Sequence, residues 1–124
     1  MTHTYPVSWF EIPATDFDRA VKFYSRVFDR EFPVNITENA KMAFFTDKPM
    51  EVSGVIIEED GAEPSPKGVL IYLNGGDNLN VPLSRVEVAG GTIVQPKTLI
   101  SVQLGYYAIF IDSEGNRLGL HSMG

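Results

Sequence analysis

One residue pattern occurs twice in this chain at a fixed spacing. Ala43-Phe44-Phe45-Thr46-Asp47, then six residues, then Gly54-Val55 reappears as Ala108-Ile109-Phe110-Ile111-Asp112, six residues, then Gly119-Leu120, each position 65 further on. That step divides 124 residues into two halves. Each half is long enough for one supersecondary unit and too short to bury a core of its own, so the copies must pack on each other. The chain is read as a single domain over 1–124, with a first module at about 5–59, a linker at 60–67 and a second module at about 68–124.

Hydrophobic periodicity assigns both halves the same element order. Val7 to Ile12 is rich in strand formers, and Thr15 or Asp16 is placed to cap a following helix. Phe17, Ala20, Val21, Tyr24, Val27 and Phe28 then recur at helical spacing opposite Asp18, Arg19, Lys22 and Arg26. Strands are expected at 31–37, 41–46 and 52–58, with turns at Glu38-Asn39 and Asp47-Lys48-Pro49. After the Pro- and Gly-rich linker come a strand at 69–74 and a helix with Leu79, Leu83 and Val86 on one face that ends at Gly90-Gly91. Pro82 fits only in the first turn, so that helix is expected to start at Asn78 or Asn80. Strands near 92–102, 106–112 and 117–121 complete a second βαβββ unit. The expected class is α+β: two curved, mixed four-stranded sheets forming a half-barrel, with one helix on the outer face of each and a cavity on the other side.

Composition narrows the partners. Hydrophobic residues make up 44% and charged residues 21%, which fits a globular domain. No apolar run reaches the roughly 18 residues of a membrane span, and the first residues lack the basic and apolar regions of a signal peptide, so a cytoplasmic protein without a membrane partner is expected. Ten Lys plus Arg against sixteen Asp plus Glu give a net charge of -6 without a basic stripe, which counts against nucleic acid. With no Cys there is no disulfide, no thiolate nucleophile and no Cys-ligated zinc.

The element order, Trp9-Phe10-Glu11-Ile12 and Phe23-Tyr24 at the front, and Asp112-Ser113-Glu114-Gly115-Asn116-Arg117-Leu118-Gly119-Leu120 at the back resemble the vicinal oxygen chelate superfamily. That group includes glyoxalase I, extradiol dioxygenases and the bleomycin and fosfomycin resistance proteins. The resemblance is to its short glyoxalase/bleomycin-resistance-like members and covers nearly the whole chain. It implies that metal-using relatives carry His and Glu ligands on the first and last strand of each module, pointing into the cavity. Carried over residue by residue, those positions fall on or near Val7, Val69, Gly54 and Gly119, none of which binds a metal. No metal and no cofactor are therefore expected, and Gly119→Glu is expected to add a carboxylate to the cavity without moving the strand.

Alternation along strands then proposes the cavity lining. If Val7 faces inward so do Trp9 and Glu11, and if Gly119 does so do Arg117 and His121. The expected substrate pocket is Trp9, Glu11, Tyr107, Arg117 and His121, with Tyr72, Phe45 and Gln103 as weaker members. Trp9 is either a stacking wall or a core or interface aromatic. An inward Glu11 marks a ligand contact or an ion pair with Arg117. Arg117 alternatively caps the Asp112 turn or pairs with Glu114. His121 with Glu11 forms a candidate catalytic acid–base pair, since histidine is a common general base, or else is a surface or interface histidine. The two together supply only two donors, too few for a firm metal site.

Three readings stay open, one of them a subunit or scaffold that functions only through association. Another is a metal-free, homodimeric protein that binds a planar or cationic small molecule in an aromatic cavity. The third is a lyase, isomerase or dioxygenase of the same superfamily that uses Glu11 and His121 or a divalent metal at a shifted site.

Overall fold

The computed structural model describes residues 6–48 and 51–124; Pro49 of the expected turn and Tyr5 of the first module lie outside them. The elements are β1 (Trp9–Pro13), α1 (Phe17–Phe28), β2 (Val34–Ile36), β3 (Ala40–Phe44), β4 (Ser53–Glu59), β5 (Tyr72–Asn74), α2 (Asn80–Val86), β6 (Thr92–Ser101), β7 (Gly105–Ile111) and β8 (Arg117–Ser122). They form two four-stranded mixed sheets, β1-β4-β3-β2 (sheet A) and β5-β8-β7-β6 (sheet B), in which the first strand of each module runs parallel to its last. The sheets build the expected half-barrel, and no barrel closes.

The helix α1 forms because Phe17, Ala20, Phe23, Tyr24 and Val27 make one buried stripe, and Asp16 caps its start by accepting a hydrogen bond from the Arg19 amide at 3.1 Å. It ends at Asp29, which takes left-handed backbone angles. Pro82 sits in the first turn of α2, as its missing N–H requires. The strands β2 and β5 are shorter than the sequence suggests. Pro33 cannot donate to a ladder, so β2 starts only at Val34, and β5 is confined to Tyr72–Asn74.

One core serves both modules. Ile12 and Ile56 from sheet A, Leu73, Phe110, Leu118 and Leu120 from sheet B, and the buried faces of both helices belong to a single apolar cluster. The helices therefore cover one face of each sheet and leave the other open, which is where alternation places the residues of interest.

The repeat is real but slips by one residue between strands. Ala43 pairs with Ile56, and its counterpart Ala108 pairs with Leu120. Ala43 to Ala108 is a step of 65, whereas Ile56 to Leu120 is a step of 64, because the chain between the paired positions is one residue longer in the first module (44–55) than in the second (109–119). With a side-chain period of two, a slip of one residue exchanges the faces of the sheet.

Candidate functional site

The slip corrects the expectation for Gly54. It pairs with Phe10 and shares the helix-covered face with Ile56, and a Cβ there would lie 2.4 Å from the Phe10 carbonyl oxygen. The open-face counterpart of Gly119 is Val55, which is buried. Val7 and Val69 both lie outside the strands, at 54% and 90% exposure, and Val69 borders a small cavity between the modules. Gly119 does face away from the core, between Arg117 and His121 on the face opposite Leu118 and Leu120. Its space is filled: a Cβ at Gly119 would lie 2.3 Å from the Tyr72 ring, so Gly119→Glu cannot enter without displacing that ring.

The pocket residues expected from sequence divide into three places. Trp9 stands on the open face of sheet A, half-exposed, its ring 6.2 Å from that of Phe44. Glu11 and Arg117 line a cavity of about 140 Å³ at the seam between the modules, together with Glu63, Ser65 and Lys67 of the linker. His121 lines a groove of about 680 Å³ on sheet B with Tyr72, Asn74, Asp77, Ile100 and Met123. Tyr107 pairs with His121 across β7 and β8, and its ring meets that of Tyr72 edge-on at 6.4 Å. The structure thus unites Tyr107 with His121 and Glu11 with Arg117, and places the Glu11 and His121 side chains on different cavities. Of the weaker candidates, Tyr72 lines the groove. Phe45 packs into the aromatic core against Phe10, Phe32 and Tyr24, and Gln103 lies at the exposed β6–β7 turn.

His121 is held in place: its Nε2 lies 2.6 Å from the Leu104 carbonyl, which fixes the ring plane and assigns the proton to that nitrogen in the neutral tautomer.

Both alternative partners of Arg117 are taken by other residues. Glu114 pairs with Arg19, at 2.7 Å, and also accepts the Thr15 and Asp16 amides at the start of α1. Burial of the Glu114 carboxyl opposes ionisation. The hydrogen bonds from Arg19, the Asp16 backbone and Ser113 outweigh that and hold its pKa below the usual carboxylate value. The Asp112 turn is closed by the amides of Glu114 and Asn116, the Asn116 side chain and the Tyr24 hydroxyl, which donates at 2.7 Å. Burial and the adjacent Asp112 carboxylate push the Tyr24 phenol well above its ordinary pKa. Asp112 and Glu114 therefore fasten α1, and Asn116 fastens β1, of the first module to the β7–β8 turn of the second, a role that sequence spacing alone does not reveal.

The donor set does not fit a metal of the superfamily's kind. On the open faces of the first and last strands the His and Glu donors are Glu11, Glu59 and His121, and the three line different cavities. Among the described residues no three His, Cys, Asp or Glu side chains come together as a metal site.

Two βαβββ modules with helices on one side and open sheet faces on the other define a protein of the vicinal oxygen chelate class. No family model matches the chain. A glyoxylase-like domain-containing protein of Didymella fabae is 36% identical over 118 residues, covering 89% of this chain and 88% of its own length. The chain belongs to that glyoxalase-like family. Among solved structures it is similar to a glyoxylase/bleomycin resistance protein/dioxygenase domain from Frankia sp. EAN1pec, with a TM-score of 0.70 at 18% identity, covering 97% of this chain and 98% of that one. A glyoxalase I mutant from Zea mays gives 0.72 at 15% identity, covering 95% of this chain and 46% of that one. At these identities the structures show the shared fold. No helix among the described residues is long and apolar enough to cross a membrane.

Proposed function

We propose that this protein is a metal-independent, homodimeric and cytoplasmic binding protein for a small planar or cationic molecule, which it holds in the groove on sheet B. The observation that supports this reading is the aromatic floor: Tyr72 lies over Gly119, meets Tyr107 edge-on, and opens with His121 and Ile100 onto about 680 Å³. That volume falls within the roughly 300–1,000 Å³ of small-molecule sites. A tyrosine face favours flat ligands by stacking and cations through its quadrupole. Asp77 at the rim and the net charge of -6 add attraction for a cation.

Binding is favoured over catalysis because an acid–base pair must reach one substrate, and Glu11 and His121 face different cavities. Calorimetric titration with a panel of cationic aromatic dyes tests the reading. Saturable binding that weakens about tenfold in Tyr72→Ala is expected, and absence of heat across the whole panel overturns it. Stoichiometric zinc, nickel, iron or manganese in protein purified without chelators would favour the enzymatic alternative.

A further inference from the structure

We propose a second binding site at the seam between the modules, for a small zwitterion that carries both an ammonium and a carboxylate. Glu11 comes from β1 and Arg117 from β8, and the linker brings Glu63 and Lys67 to the same cavity of about 140 Å³. Two anionic and two cationic side chains thus share one small space. None of the four pairs with another: the ion pairs among the described residues are Arg19–Glu114 and Lys41–Glu58.

The walls that carry these charges are fixed relative to one another by Asn116, which is buried. Its Nδ2 donates to the Pro13 carbonyl at 2.7 Å and its Oδ1 accepts the Ser65 amide at 3.1 Å, so β1, β8 and the linker are clasped at one point. Unpaired side chains of both signs around one cavity are satisfied by a ligand with both signs. A simple anion or cation answers only half of them and meets like charge on the other half.

The cavity is smaller than the roughly 300 Å³ at which drug-sized sites begin, and its apolar members Ile71 and Leu118 suit a short alkyl group. Its four charged side chains are exposed, which limits each contact through water screening and sets the expected affinity in the millimolar range. An α-amino acid with a small side chain has this chemistry.

The test is a titration of ¹⁵N-labelled protein with L-alanine, followed through the Ser65 backbone amide and the Asn116 side-chain amide. Saturable shifts confined to these groups and their neighbours are expected. Acetate, methylammonium and N-acetylalanine methylamide at the same concentrations should leave them unmoved, and Glu11→Gln and Arg117→Gln should each weaken binding about fivefold. No saturable shift up to the solubility of alanine, an equal response to the singly charged ions, or full binding by both variants would overturn the proposal. The dye titration reads the groove on sheet B and this one reads the seam, so either site can fail without the other.

Discussion

A methyl group added at Gly54 or at Gly119 meets different obstacles. At Gly54 it would lie 2.4 Å from a backbone oxygen of Phe10, which the β1–β4 ladder holds in place. At Gly119 it would meet not backbone but the side chain of Tyr72, which is 48% exposed. Gly54→Ala is therefore expected to cost about 3 kcal/mol and Gly119→Ala about 1 kcal/mol in urea unfolding. In a Tyr72→Ala background the Gly119→Ala cost should vanish, while the Gly54→Ala cost should persist. Equal costs at the two glycines would contradict the assigned faces. The hydroxyl of Tyr24 poses a related question, because its removal leaves the buried Asp112 carboxylate one donor short. Tyr24→Phe should lower stability by about 2 kcal/mol. The same phenol predicts alkaline behaviour: its folded pKa is raised, so its contribution is full below the unfolded value of 10.0 and is lost as pH rises beyond it.

At the scale of elements, α1 is joined to the rest of the chain by carboxylates gathered at its N-terminus. Asp16 caps it locally, Glu58 of sheet A accepts the Phe17 amide at 2.8 Å, and Glu114 of the β7–β8 turn accepts those of Thr15 and Asp16. Negative charge there satisfies amides that have no partner within the helix and complements the helix dipole. Glu114→Gln is expected to cost about 2 kcal/mol at neutral pH. The folded pKa of Glu114 is depressed, so that contribution is present above the unfolded value of 4.5 and disappears as pH falls through the folded one. Urea denaturation from pH 7 down to pH 3 should show wild-type protein losing this increment below about pH 4.5, with the Glu114→Gln protein losing less. Parallel curves would remove Glu114 from this role. Asp16 as a cap was legible from its position before an apolar helical stripe. The contribution of Glu114 was not, since 98 residues separate it from Asp16 and no local rule connects them.

For the whole molecule, the outer edges matter most. Strands β2 and β6 end their sheets, and at the β6–β7 hairpin Leu99, Val102 and Leu104 are 53%, 90% and 59% exposed. A long edge strand beside apolar side chains is a surface that folded proteins cover. The proposed homodimer is expected to use it. Sedimentation equilibrium at micromolar concentration should give a dimer, and the double variant Val102→Asp with Leu104→Asp should give a monomer of unchanged circular dichroism. A wild-type monomer would refute the dimer, and a dimer of the double variant would move the interface elsewhere.

The sequence by itself determined the duplication, the order of the ten elements, the buried stripe of α1, and the shared face of Arg117, Gly119 and His121, because apolar periodicity and turn residues act over a few positions at a time. Only the tertiary structure decided the face of Gly54, where one extra residue between the paired positions of β3 and β4, relative to β7 and β8, reverses every side chain beyond it. It also decided that Arg19 rather than Arg117 meets Glu114, and that Glu11 and Arg117 line the seam between the modules while His121 lines the groove on sheet B. Those outcomes depend on how two sheets are set against one helix layer, a relation between residues far apart in the chain that no local period encodes.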